Sequence, residues 1–195
     1  MVERIADPYA EPYDPPPGSI RFSFETTQMR GAAGIPPDLS NESYEQYFRL
    51  LNGLASEGID LASVRATTFR TGPMAGGDLA FLDLLLKGAE LVGAATSILS
   101  VSAWLKAKGA LEVRVSEAGI DTLGRWEIQR RGGAVAEVLS IGLMPGRGET
   151  PWGIPRQWGG YAAVFRLQDG RLATLVFALD GVLQEFAMAD GETGR

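Results

Sequence analysis

The chain contains no histidine and no cysteine, and these two absences remove most common chemistries. Without imidazole there is no Ser-His-Asp or Cys-His catalysis and no zinc site that depends on histidine. Without thiolate there is no disulfide, no sulfur nucleophile and no cysteine metal site. Carboxylates, hydroxyls, Tyr, Arg and a few lysines remain, and no catalytic residue, metal ligand or cofactor is assigned. Lysine is scarce, at Lys87, Lys106 and Lys108, and the formal net charge is −6 with a pI near 4.8. A sequence-independent grip on nucleic acid needs a clustered excess of Lys and Arg to displace counterions, so nucleic acid is not an expected partner. Long apolar runs are missing too. The longest charge-free stretch around the middle, LVGAATSILSVSAWL from Leu91 to Leu105, is fifteen residues and carries four hydroxyls. A bilayer crossing needs about 20 apolar residues. The opening MVERIADPYAEPYDPPPGS has no apolar core of a secretory signal, so the cytoplasm is the expected compartment.

What is present is ordinary globular composition, 45% hydrophobic and 22% charged over 195 residues, enough for one good core or two small ones. Residues 1–19 hold Pro8, Pro12, Pro15, Pro16 and Pro17 among acids and read as a disordered, extended arm carrying Tyr9 and Tyr13. From Ile20 to Thr27, Ile20, Phe22 and Phe24 alternate with Arg21, Ser23 and Glu25, the period of a half-buried strand. Tyr44, Tyr47, Phe48, Leu51 and Leu54 recur at spacings of three and four, which predicts an amphipathic helix closed near Gly58. A second strand is expected over Ser63–Gly72.

Beyond Gly76-Gly77, Asp78 can cap a helix that runs to Lys108 and stops at Gly109, with weak points at Gly88 and Gly93. On it Asp83, Lys87 and Glu90 would form a solvated ion-pair stripe. Phe81, Leu84, Leu85, Leu91, Val92, Leu99 and Trp104 would form the core face, with Trp104 buried against Val113 and Val115. A strip of small residues at Gly93, Thr96, Ser97 and Ser100 would admit another backbone. LEVRVS, from Leu111, is a third strand. The segments GRWEIQR, AVAEVLSIGL, YAAVFRLQ, RLATLVFAL and VLQEFAM are all β-like, with Asp169-Gly170 and Asp180-Gly181 as hairpin signals. The expected fold class is α+β. An N-terminal β-α-β-α-β layer with one long apolar helix occupies residues 20–131, and an antiparallel β meander over 132–190 packs on it.

The loop TGPMAGGD, the apolar helix ending in AWLKAK and the Arg-bearing strand LEVRVS that follows resemble the effector-associated constant component family of bacterial conflict and signalling systems, over roughly residues 20–130. The resemblance implies a small α+β adaptor that accompanies enzymatic effectors and has no active site of its own. The proline-rich arm and the β-rich part after Gly132 depart from that pattern.

The remaining candidate features are weak as chemistry. PGRGETPWG has Pro151 where a dinucleotide fingerprint wants Gly, and no Gly-Lys-Ser/Thr occurs. Asp169, Asp180 and Glu185 could pair as carboxylates, but two of them stand in hairpin turns, where Asp is wanted for backbone hydrogen bonding. Ser97, Ser100 and Ser102 lack Ser-x-x-Lys spacing, and bonding back to the helix explains them. The loop PWGIPRQWGGY is richer: Trp152, Arg156, Trp158 and Tyr161 are the residue types that dominate protein hot spots, and they could also stack a ring or sugar. The leading expectation is a non-enzymatic adaptor that binds a protein partner or itself, through this loop and the strip at Gly93, Ser97 and Ser100. Two alternatives stand beside it: a membrane-active protein that inserts the Asp78–Lys108 helix, and a small-ligand binder or enzyme built on the Trp152–Tyr161 loop.

Overall fold

The alternation of Ile20, Phe22 and Phe24 with polar residues is realised as a strand, β1 (Ile20–Glu25), in the computed structural model. The structure describes residues 18–25, 54–55, 61–70, 78–86, 90–107, 110–146 and 158–190. It divides into two units between Ser116 and Glu117. The boundary expected after residue 131 therefore lies one helix later than the observed one. The arm over residues 1–17 and most of the helix expected over 44–58 lie outside the described residues, although Leu54 and Ala55 are helical and Leu54 is fully buried.

In the first unit β1 is joined by β2 (Leu61–Arg70), β3 (Asp78–Leu86) and β4 (Leu111–Val115) in an antiparallel sheet of order β2-β3-β1-β4. One face is apolar. Phe22 stands opposite Leu82 on one side and Val115 on the other, Ile20 stands opposite Leu84, and all of these are buried. Helix α1 (Leu91–Ala107) packs beside β4 and buries Ala95, Ile98, Val101, Ser102 and Leu105. The spacing of three and four is that of one helical face. At its far end Ala110 N–H donates to the Leu105 carbonyl at 3.0 Å, the six-to-one closure common at helix ends.

The single long helix over Asp78–Lys108 is not formed. Its first third is β3, and only Leu91–Ala107 is helical. DLAFLDLLL lies between β2 and β1, so it is flanked by strands on both sides, and such a strand reads as a near-continuous apolar run that periodicity cannot tell from a buried helix. The solvated stripe dissolves with it, since Asp83 is buried. Trp104 is half-buried, because the inward face of α1 runs through Ile98, Val101 and Leu105. No helix among the described residues is long and apolar enough to cross a membrane.

The second unit begins with helix α2 (Glu117–Gln129), followed by the meander β5 (Val135–Pro145), β6 (Trp158–Leu167), β7 (Leu172–Phe177) and β8 (Leu183–Ala189). The segment GRWEIQR, expected as a strand, is the C-terminal half of α2. Ile120, Leu123, Glu127 and Ile128 supply a buried helical face, and the apparent alternation of Trp126 and Ile128 is accidental. The helix closes at Arg130–Gly133: Gly133 N–H donates to the Ile128 carbonyl and Gly132 N–H to that of Gln129, with Gly132 at φ 79°. Tyr161, Ala163, Phe165 and Leu167 of β6 and Ala173, Leu175 and Phe177 of β7 form the buried face. Helix and sheet meet most closely at Gly124, where a Cβ would come within 2.3 Å of the Phe165 ring. Both hairpins are built on the expected Asp-Gly pairs, with Gly170 at φ 87° and Gly181 at φ 86°, conformations that cost a side chain energy and glycine little.

Candidate interaction site

Among the described residues, several charged side chains are held by one another. Arg21 and Asp83 stand opposite each other on β1 and β3 and pair in two parallel bonds, Nε to Oδ1 at 2.7 Å and a terminal nitrogen to Oδ2 at 3.0 Å. Both carboxylate oxygens thus accept from one guanidinium, the geometry Arg provides and Lys does not. The Arg21 backbone is fixed as well: its N–H donates to Ser116 Oγ and its carbonyl accepts from Ser116 N–H at 2.8 Å. On β2, Arg65 occupies the register position opposite Asp83 from the other side. This arrangement ties β1 to β3 through a charge pair on the first sheet.

A second cluster forms where α2 ends. The Glu127 carboxylate is buried and accepts from Arg130 and from Arg131. The Arg130 guanidinium lies 5.2 Å from the Trp126 ring centroid, and that of Arg131 lies 4.3 Å from the Phe186 ring centroid on β8. Each cation is therefore held from two sides, by a carboxylate and by an aromatic face. Elsewhere Arg125 pairs with Asp121 one helical turn away, and Arg166 pairs with Glu137 across β6 and β5.

The hairpin acids behave as turn residues. Asp169 accepts from the Arg171 N–H and Nε, and these hydrogen bonds hold its carboxyl below the ordinary range while raising Arg171. Asp180 accepts from Val182 N–H. No cluster of carboxylates with metal-binding geometry exists among the described residues.

The distinctive surface is the second face of the β5–β8 sheet. Alternation places Gly142, Ala162, Val164, Val176 and Ala187 there, with Ser140, Thr174 and Glu185 among them, opposite the face that α2 covers. Ala162, Val164 and Val176 lie on the two interior strands yet are only half-buried, as is Gly142 on the edge strand β5, and Ala187 is exposed. Within this unit no described element lies over them.

Trp152 and Arg156 lie outside the described residues. Trp158 begins β6, opposite Pro145, and Tyr161 is buried between Leu143 and Phe177 as part of the core. On α1 Gly93 is exposed while Ser97 and Ser100 are half-buried, and Thr96 Oγ1 donates back along the helix to the Val92 carbonyl at 2.8 Å. Sequence reasoning missed the Arg21–Asp83 pair and the Glu127 cluster, because each joins residues whose meeting depends on strand order or helix packing. The adjacent Arg130 and Arg131 three and four residues after Glu127 were the one local signal. No family model, curated protein or solved structure matches the chain.

Proposed function

We propose that the chain is a non-enzymatic protein–protein interaction module of the adaptor kind, at work in the cytoplasm. The observation that supports it is the second face of the β5–β8 sheet, which no described element of this unit covers and which mixes small and apolar residues with Ser140, Thr174 and Glu185. Gly142, Ala162 and Ala187 leave its middle flat, and Val164 and Val176 supply apolar area there, so a partner covering that middle releases water from it. The charged groups fit the same reading. Asp83, Asp121, Glu127, Glu137 and Asp169 are each held by an arginine, which suits a scaffold better than a site that must exchange protons with a substrate. In the form implied by the resemblance over residues 20–130, the partner is an enzymatic effector of a bacterial conflict or signalling system.

The test is affinity isolation of the full chain from its native host combined with light scattering. A stable stoichiometric complex is expected, and the pair of substitutions Val164→Glu and Val176→Glu should abolish it while leaving the circular dichroism spectrum unchanged. An inert monomer with no partner ends this reading.

A further inference from the structure

Strand β8 belongs to the second sheet by its hydrogen bonds but not to the core beneath it. From Tyr161 to Phe177, β6 and β7 alternate buried and outward residues, whereas no residue of β8 is buried: Leu183 and Phe186 are half-buried and the rest are exposed. Helix α2 packs on β5, β6 and β7. A strand that buries no side chain is held chiefly by its ladder, and segments with few buried apolar contacts open below the cost of global unfolding. The ladder itself is interrupted. Glu185 to Ala189 pair residue for residue with Val176 to Leu172, but the next pair is Phe177 with Leu183, so Gln184 has no residue opposite it. A bulge of this kind bends the strand and breaks the ladder locally, which separates Glu185–Ala189 from the turn at Asp180-Gly181.

One side chain ties that outer segment to the end of the helix. The Phe186 ring centroid lies 4.3 Å from the Arg131 guanidinium. Arg131 is itself anchored, donating to the Glu127 carbonyl at 2.9 Å and to the buried Glu127 carboxylate. Arg130 shares the same carboxylate but stacks on Trp126 of α2, so these contacts stay at the helix end. We infer that Glu185–Ala189 is a strap that opens from β7 as a unit, hinged at Gln184, while α2 and β5–β7 stay folded, and that Arg131 is its latch. Opening breaks the ladder to β7 and the contact between Arg131 and Phe186, but it withdraws no buried side chain of the strap from the core. The sheet loses its edge strand in the open form, and the edge of β7 from Leu172 to Val176 is bared.

Native-state hydrogen exchange of the full chain, followed residue by residue by NMR over low denaturant concentrations, is the test. Amides bonded between β7 and β8 should exchange at least ~10-fold faster than those between β6 and β7. Their exchange should also depend less on denaturant, because opening the strap exposes less surface than unfolding the unit. R131A should speed exchange between β7 and β8 a further ~2–5-fold, the worth of an exposed contact between a cation and an aromatic ring. F186L removes the ring without disturbing Glu127, and it should speed the same amides while leaving those between β6 and β7 unchanged. The double variant should fall short of the product of the two single effects, since both delete one contact. R130A, which takes the other arginine from Glu127, should not speed strap exchange. Amides between β7 and β8 that exchange at the rate and denaturant dependence of those between β6 and β7 overturn the strap. Fully multiplicative effects of R131A and F186L, or an R130A effect as large as that of R131A, overturn the latch.

Discussion

Asp83 shows how the role of one residue depends on partners far away in the chain. Its carboxylate is buried, 62 positions from the arginine that neutralises it. Removing one partner of such a pair leaves the other charge uncompensated, and Asp83→Ala is expected to cost about 3–5 kcal/mol, read from a denaturant midpoint. Gly124 presents the opposite problem. Gly→Ala inside a helix ordinarily gains about 1 kcal/mol. Here the new methyl would lie 2.3 Å from the Phe165 ring, so the overpacking term, about 1–3 kcal/mol, should win and Gly124→Ala should lower stability. At Asp169 the Arg171 hydrogen bonds favour the ionised form. A carboxyl whose folded pKa is depressed adds stability above its unfolded pKa and loses that contribution as pH falls through the folded value. NMR titration of Asp169 should give a midpoint below the ordinary carboxylate range, and Arg171→Ala should return it there.

Elements are decided by what they pack against. In α1 the buried side runs through Ile98, Val101 and Leu105, while Trp104 turns partly to solvent. Leu105→Ala should therefore cost about 2–5 kcal/mol, and Trp104→Ala, despite deleting the larger side chain, should cost less than Leu105→Ala. Equal or reversed costs in chemical denaturation would contradict this orientation of the helix. The same dependence explains the two segments whose type differs from expectation. DLAFLDLLL has a composition that suits either a buried helix or a central strand, and strand pairing on both sides settles it. EAGIDTLGRWEIQ contains two glycines and so reads as a poor helix, yet both are buried and Gly124 lies where the helix meets the Phe165 ring closely. Propensity yields to tertiary contact in both cases.

At the scale of the whole molecule, the second unit has a core of its own, Ile120, Leu123 and Ile128 of α2 against Phe165, Leu175 and Phe177 of the sheet. A fragment beginning at Glu117 is thus expected to unfold in a single cooperative transition by circular dichroism, and a fragment without one would show that this core does not suffice alone. The sequence by itself determined a good deal of this protein: the absence of imidazole and thiolate chemistry, the α+β class, the strands at Ile20, Ser63, Leu111 and through the C-terminal meander, and both Asp-Gly hairpins. These are local properties, carried by composition, period-two alternation and turn residues that need no distant partner. Only the tertiary structure decided that Asp78–Leu86 is a strand, that Glu117–Gln129 is a helix, that Asp83 belongs to Arg21, and that Tyr161 is core. It also decided which face of the second sheet α2 leaves uncovered. Those outcomes depend on strand order, register and close helix–sheet approach, which join residues tens of positions apart and leave no periodic trace in the chain.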